Sequence, residues 1–185
     1  MRVEFHRGEG TEYSVHVHRP DRVVVSLPGA GGRWSVPHDL AHFATERALG
    51  LADGVFGSIA AGAMFEQMTV VAGRLRHDPR ERSRVVLRTN TRSRSITVAE
   101  TMTSVVHDAV QHSQTNGMLT RARRVWGTVR EDPFPFTDKQ FRAAVVDLQK
   151  LRDRWAGTRV GSSLVSEWPD RLVTDLPTRS RSGRR

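Results

Sequence analysis

The sequence predicts an α+β fold in which a small, mostly antiparallel sheet is packed by four or five helices on one face. Three observations favour this class. Short alternating segments occupy the N-terminus, longer segments with helical periodicity fill the middle of the chain, and one more alternating segment follows residue 160. Because a late strand that returns to an early sheet joins the two ends of the chain, we expect a single domain over residues 1–170.

The N-terminal strands are indicated by apolar or alternating runs at residues 3–5, 13–18 and 22–27. The breaks between them, RGEGT and RPD, contain the Gly, Pro and Asp typical of turns. His16 and His18 share one strand face, a spacing that can bind metal, but we interpret them as exposed residues opposite a buried face. The closing strand is predicted at residues 160–168, where Pro169 ends it.

The helices are predicted from apolar periodicity and from end signals. The best local signal is FTDKQF, where Thr137 and Gln140 form a capping box and Phe136 can pack on Phe141 as a hydrophobic staple. This helix should continue to Gly157. The other predicted helices run from Pro37 to Gly50, from Val55 to about Val71, from Thr97 to about Ser113, and from Leu119 to Val129, with Trp126 in the core.

The net charge of +9 is concentrated in two segments of the 185-residue chain. Residues 74–94 contain eight arginines and two acids, and residues 171–185 contain five arginines and one acid. We expect the first segment to be a mobile, arginine-rich connection and the second a basic, disordered tail. Either segment could make weak contact with nucleic acid. However, the basic residues are 27 Arg and only 2 Lys, a bias that GC-rich coding also produces.

Membrane and secretory classes are not indicated. The N-terminus MRVEFHRGEG has no apolar core of the kind found in signal peptides. The most apolar stretch, Val55 to Phe65, is shorter than the roughly 20 residues that span a bilayer. We therefore expect a cytoplasmic protein without membrane contact. Because the chain has no cysteine, any metal site must use His, Asp or Glu.

Residues 36–46, VPHDLAHFATE, contain the pattern most typical of chemistry. His38, His42 and Glu46 follow one another at intervals of four residues, and on a helical wheel they lie opposite Leu40. Two imidazoles at positions i and i+4 lie on one face of a helix and can hold a single metal ion. The alternative is an ordinary polar face, since half-exposed helices commonly carry polar residues at this spacing.

Five residues of this helix, HDLAH, resemble the HExxH helix of the zincin metallopeptidases, with Asp in place of Glu. The resemblance implies that His38 and His42 are ligands of a divalent metal, zinc most readily, and that Asp39 is the general base. Asp is one methylene shorter than Glu, so its carboxylate would lie roughly 1.5 Å further from its target.

The third ligand is not fixed by this pattern. Glu46 is our first candidate, but it lies about 12 Å along the helix axis from His38, so one ion could hardly be held by all three residues. A ligand from elsewhere is therefore required if the metal is bound at this face. The candidates are Asp53, Glu66, His107 and His112.

A broader resemblance is to a group of small uncharacterised bacterial proteins of similar length. The segments PHDLAHF, ALGLADGVFGSIAAGAMF and VGSSLVSEWP carry it. It implies one compact α+β unit and no particular activity. The sequence thus supports two hypotheses: a divalent-metal-binding protein, with metal-dependent hydrolysis as its activity, and a non-enzymatic interaction protein whose arginine-rich segments contact an anionic partner.

Overall fold

The computed structural model describes residues 1–29, 34–74 and 78–176, except for the side chain of Pro79. Within these residues it contains five strands and six helices, which confirms the predicted α+β class. The strands are β1 (Arg2–Arg7), β2 (Tyr13–His18), β3 (Val24–Pro28), β4 (Thr69–Ala72) and β5 (Ser163–Glu167). The helices are α1 (His38–Leu49), α2 (Val55–Ala61), α3 (Pro79–Ser93), α4 (Ser95–Gln111), α5 (Met118–Val129) and α6 (Asp138–Ala156).

The sheet has the order β4-β3-β2-β1-β5, and every neighbouring pair is antiparallel. The C-terminal strand β5 pairs with β1, as the sequence predicts, so that Phe5 lies opposite both Val15 and Leu164. Because side chains alternate between the faces of a strand, Val3, Phe5 and Val15 are fully buried. The other face carries polar residues such as Glu4 and His16.

Helix α1 lies at the centre of the helical layer and packs against α4 and α6. Its Phe43 ring meets Phe5, Phe56 and Trp168 at centroid distances of 5.7, 5.2 and 5.5 Å. These edge-to-face contacts are a favoured aromatic geometry, and they join the sheet, α2 and the end of β5 in one core. The core therefore holds the buried side of α1 in place.

The predicted boundaries of α1 and α6 are confirmed. Gly50 ends α1 in the left-handed conformation, with φ of 73°, which glycine adopts without steric cost. At the start of α6, Thr137 and Gln140 form the complete capping box. Phe136 and Phe141 meet at 6.2 Å between ring centroids. Trp126 of α5 is buried, also as predicted.

The prediction of one helix from Val55 to Val71 is wrong. Helix α2 stops at Ala61, where Gly62 adopts a φ of 109° and its N–H bonds back to Ile59, and the chain then forms strand β4 beside β3. The run of small residues around Gly62 has no helical periodicity that would reveal this stop. The only local signal for the end of α2 is Gly62, which adopts the left-handed conformation there.

Most of the segment expected to be a connection is helical. Asp78 caps α3 by accepting a hydrogen bond from the backbone N–H of Arg80, and Pro79 occupies a position in the first turn where proline is tolerated. The buried side of α3 contains Val86 and Asn90, and the Asn90 amide bonds to Ser58 of α2 at 2.5 Å. That the segment is mobile stays a prediction.

The start of the predicted tail packs against the domain. Leu172 and Thr174 are buried, and Thr174 bonds through its backbone N–H to Gly57 and through its hydroxyl to Ala52. Residues 177–185, which carry most of the tail's arginines, lie outside the described residues. Among the residues described, no helix has the length and apolar character needed to cross a membrane.

Candidate metal centre

Two helices bring three potential metal ligands together. His38 and His42 lie one turn apart on α1, and α4 places Glu100 against them. The Nε2 atoms of the two histidines are 3.2 Å apart. The nearer carboxylate oxygen of Glu100 lies 3.2 Å from Nε2 of His42 and 3.4 Å from Nε2 of His38. The three donor atoms thus form a nearly equilateral triangle.

The size of this triangle fits a metal ion. Zinc binds nitrogen and oxygen ligands at about 2.0–2.1 Å, and in a tetrahedral site such ligands are separated from one another by about 3.3 Å. The observed separations of 3.2, 3.2 and 3.4 Å match that value closely. Two histidines and one carboxylate are also the ligand set of several catalytic zinc sites that leave one position for substrate or water.

Glu46 lies on the far side of the His42 ring, not among the three converging donors. Its carboxylate accepts a hydrogen bond from His42 Nδ1 at 2.9 Å and two more from the backbone N–H groups of Val55 and Phe56, at 2.9 and 3.1 Å. Glu46 is fully buried. The sequence predicts it as a ligand, whereas in the structure its carboxylate contacts Nδ1 of His42, the ring nitrogen on the side away from the three converging donors.

The backbone at Gly54 approaches the Glu46 carboxylate closely because glycine has no side chain. A Cβ atom added to Gly54 would lie within 2.5 Å of the Glu46 carboxyl group. Glycine at this position therefore allows the start of α2 to reach Glu46. The hydrogen bonds from Val55 and Phe56 take the place of the water that the carboxylate loses on burial.

The electrostatics of the cluster favour a cation between the carboxylates. Burial lowers the pKa of His42, but its hydrogen bonds and charge interactions with Glu100 and Glu46 outweigh burial and raise that pKa to about 10. Hydrogen bonds from His38 and His42 hold the pKa of Glu100 well below its ordinary value. Without a metal, a proton on His42 supplies the positive charge, and a metal ion would take the place of that proton.

Asp39, the candidate base, is engaged by a tyrosine. Its carboxylate accepts a hydrogen bond from the Tyr13 hydroxyl at 2.6 Å. Burial and the nearby charge of Asp39 raise the pKa of Tyr13 well above its ordinary value, so the tyrosine stays protonated. Asp39 is not a member of either group of described residues whose donor atoms converge as a metal site.

The other ligand candidates from the sequence are not in the cluster either. His107 comes nearest, with its ring centroid 5.6 Å from that of His38, but its Nε2 donates to the Val36 carbonyl at 2.9 Å. Burial lowers the pKa of His107, which favours its neutral form. Burial raises the pKa of Asp53, His112 faces Asp108, and Glu66 is exposed after α2.

Sequence reasoning missed Glu100. On the wheel of α4 it lies about 200° from the buried Val98, the position of an ordinary solvent-facing acid. Its side chain is 50% exposed, unlike that of His42, which is 3% exposed. No motif links Glu100 to HDLAH, because the contact depends on how α4 packs across α1.

A second group of possible ligands lies on the outer face of the sheet, where Glu4, His6 and His16 converge. Here Glu4 is already shared by Arg2, His6 and His18, at 2.7, 3.0 and 3.0 Å. An ion at this place would compete with the arginine for the carboxylate. A variant in this group can therefore serve as the control for variants of the cluster on α1 and α4.

An open cleft of about 590 Å³ borders the centre, and His38 forms part of its wall. Helices α4 and α5 supply most of the other lining residues. A smaller cleft of about 190 Å³ on the other side also reaches His38, between the β1–β2 turn and the start of α1. The cluster is thus buried at His42 and accessible at His38.

Comparison of the chain with family models, with curated proteins and with solved structures found no match. The resemblances to the zincin helix and to the bacterial group therefore stay expectations.

Proposed function

We propose that the chain binds one divalent transition-metal ion, zinc most readily, through His38, His42 and Glu100. The observation that carries the proposal is the triangle of donor atoms, whose sides of 3.2, 3.2 and 3.4 Å fit tetrahedral coordination. In this triangle the Nε2 atoms of His38 and His42 face each other at 3.2 Å, an arrangement that a shared cation would stabilise. In this proposal Glu100 takes the ligand position that the sequence-based prediction gave to Glu46.

The support for His42 as a ligand comes from its second nitrogen. Metal-bound histidines commonly donate their other ring N–H to a carboxylate, which fixes the tautomer and directs the free nitrogen at the metal. Glu46 accepts that bond from Nδ1 of His42 at 2.9 Å. An ion beside His38 and Glu100 could therefore displace the Nε2 proton of His42 and bind the lone pair left behind.

The activity that best fits this centre is metal-dependent hydrolysis. Three protein ligands would leave a fourth coordination position for water or substrate, and a divalent ion held by them would lower the pKa of that water or polarise a substrate oxygen. His38 borders both clefts, so small molecules can reach this position. Asp39 is the proposed proton acceptor, on the resemblance to the zincin helix.

Metal content tests the binding proposal. The protein is purified without an affinity tag and dialysed with zinc. Elemental mass spectrometry should then find about one tightly bound zinc ion per chain. His42→Gln and Glu100→Gln should each weaken zinc binding by at least about tenfold, because each removes one ligand. His16→Gln, on the outer face of the sheet, is the matched control and should retain the tight equivalent.

Two results would reject the proposal: wild-type protein that does not hold zinc after reconstitution, or zinc binding that depends on His16 and not on His42. Cobalt substitution adds a geometric readout, because tetrahedral cobalt absorbs visible light far more strongly than six-coordinate cobalt.

The role of Asp39 as proton acceptor has a separate test. Asp39→Asn should retain the metal and lose hydrolysis of an activated ester, whereas equal loss in Asp138→Asn would remove its special role.

A different observation favours a second candidate function, contact with nucleic acid through α3. Arg80, Arg84, Arg88 and Arg92 follow one another at four-residue intervals and are all exposed. Together they line a shallow surface groove of about 540 Å³. Such a stripe places positive charges about 6 Å apart along the helix, a pattern suited to a phosphate backbone.

Salt dependence tests this second candidate. Binding to duplex DNA should weaken steeply between low and physiological salt, and replacing Arg84 and Arg88 by Gln should reduce the slope by roughly two phosphate contacts. Replacing Arg142 and Arg152, which are paired with acids on α6, is the control. Unchanged binding after neutralising α3 and deleting residues 179–185 would refute it.

A further inference from the structure

We propose that the larger cleft beside His38 binds a small anionic substrate, with its oxyanion held by Arg124 and its apolar part against Trp34. This inference rests on the proposed function, since it names the substrate class of the same centre. It follows from three features of the cleft: its size, its charge, and one arginine whose side chain has no partner among the described residues.

The size and walls of the cleft suit a small organic molecule. Its volume of about 590 Å³ falls in the range of ligand pockets, roughly 300–1,000 Å³. Val105 of α4 and Val125 of α5 give apolar surface. The Trp34 ring lies at the edge of the cleft and is 51% exposed, although it contacts the rings of His107 and His112 at 5.7 and 6.3 Å.

The charge of the cleft is positive. Arg121 and Arg124 line it together with a single acid, Asp108, and that carboxylate faces His112 at 3.4 Å. A divalent ion at the centre would displace the proton on His42 and so would add one net positive charge beside the cleft. An anion entering the cleft therefore meets an attractive potential along its length.

The two arginines differ in what they already bind. The guanidinium of Arg121 donates to the carbonyl oxygens of Asn116 and Gln114, at 3.3 and 3.1 Å, and so secures the loop before α5. The side chain of Arg124 makes no hydrogen bond, ion pair or ring contact with any other described residue, and it is exposed. Its planar set of donors is thus free to bind a carboxylate or phosphate in a bidentate way.

The residue that would hold the substrate and the residues that would hold the metal lie on different helices. Arg124 lies on α5 and His38 on α1, and both line the same cleft. A ligand whose oxyanion is held by Arg124 can extend past Val125 and Trp34 towards the metal. The substrate class that fits is an aromatic or apolar molecule that carries one carboxylate or phosphate group.

Tryptophan fluorescence tests this proposal, because Trp34 is the exposed tryptophan of the described part of the chain and Trp126, Trp155 and Trp168 are buried. Phenyl phosphate and benzoate are the two anionic probes, and phenol is the uncharged control. Titrations are made with zinc-loaded and with chelator-treated protein. Trp34→Phe should abolish the signal, which assigns it to the cleft.

We expect saturable binding of at least one anion and none of phenol in the same concentration range. The probe that binds identifies the oxyanion as phosphate or carboxylate. Arg124→Gln should weaken binding by about tenfold or more, the usual effect of losing a hydrogen bond to a charged group. Arg123→Gln is the matched control, since Arg123 lies one residue away and contacts Phe134 instead, and it should bind within about twofold of wild type.

Binding of phenol as tight as that of the anions would overturn the proposal, and so would an unaffected Arg124→Gln variant or no response to either anion. The chelator-treated titration separates this outcome from a failure of the metal proposal. Arg124-dependent binding in a protein that never holds zinc would reject the metal centre and leave the anion site standing. Tight zinc binding without an anion response would do the reverse.

Discussion

Around the buried His42 ring, two carboxylates meet one imidazole, the buried Glu46 on one side and the half-exposed Glu100 on the other. Glu46 contacts Nδ1 and Glu100 contacts Nε2, at 2.9 and 3.2 Å. Isolated charges at this depth would destabilise the fold, but each has an opposite charge or a hydrogen-bond donor beside it. The Glu46 carboxylate is matched by His42 on one side and by the N–H groups of Val55 and Phe56 on the other.

Replacing Glu46 by Gln tests this logic. The amide has nearly the same size, but it carries no charge and cannot accept all three hydrogen bonds. We expect zinc affinity to fall by about 10–100-fold, as for other groups that orient metal-bound histidines. Competition with a zinc-sensitive dye measures this. Glu66→Gln, an exposed acid after α2, is the control, and equal affinities in wild type and Glu46→Gln would contradict the role.

Gly54→Ala tests the close approach of α2 to the same carboxylate. The new Cβ would meet the carboxyl group of Glu46 within 2.5 Å, so α2 or Glu46 must shift. We expect the free energy of unfolding to fall by about 1–3 kcal/mol, measured by urea denaturation. Gly127→Ala on α5 is the matched control: an added Cβ has open space there, and we expect stabilisation of about 0.5–1 kcal/mol.

At the scale of elements, α1 and α4 contribute the candidate ligands, whereas α6 supports α1 from the other side. Arg47 of α1 binds Asp147 of α6 through a bidentate ion pair, with oxygens at 2.6 and 2.7 Å. Leu148 and Leu151 place the apolar face of α6 in the core. A substitution that destabilises α6 should therefore lower the free energy of unfolding without altering the positions of the candidate ligands.

Thr137→Ala tests the contribution of α6. The change removes the N-cap acceptor and half of the capping box, so we expect a loss of about 1 kcal/mol of unfolding free energy. Thr137→Ser keeps the hydroxyl and should lose much less. Zinc affinity should be the same in both variants. A large drop in affinity would show that α6 positions the centre more directly than its contacts indicate.

The elements differ in how far local sequence specified them. Thr137, Gln140 and the Phe136–Phe141 staple lie within six residues, so the start of α6 was predictable. The end of α2 depends on Gly62 and on pairing of β4 with β3, a partner distant in sequence. A run of small residues is compatible with either outcome until that pairing forms.

The candidate site shows the same division. The spacing of His38 and His42 is local to one helix, and their shared face follows from helical geometry alone. Glu100 comes from another helix, and its exposed position on α4 has no distinguishing pattern. The packing of α4 on α1 brings Glu100, rather than Asp53, Glu66, His107 or His112, against the two histidines, and Glu46 lies on the opposite side of the His42 ring.

For the whole molecule, the charged cluster makes stability depend on pH. In metal-free protein the folded pKa of His42 is about 10, above its ordinary value of 6.5. Protonated His42 therefore contributes stability that is fully present below pH 6.5 and is lost as pH rises from 6.5 to about 10. Zinc should act in the opposite direction, because it displaces that proton and binds more tightly as pH rises.

Unfolding by urea at several pH values, with chelator and with zinc, measures both effects. Chelator-treated wild type should lose stability between pH 6.5 and 10 relative to His42→Gln, which lacks the titrating ring. The stabilisation by zinc should increase over the same interval. Parallel pH profiles for wild type and variant would mean that the His42 ring does not carry the charge assigned to it.

The origin of the ligands in α1 and α4 has a topological consequence. An ion bound by both helices would act as a cross-link that closes a backbone loop over residues 43–99, and this loop contains α2, β4 and α3. Closing a long loop restricts the unfolded chain more than the folded one. Amide hydrogens in β4 and α3 should therefore exchange more slowly on metal loading, although neither element supplies a ligand.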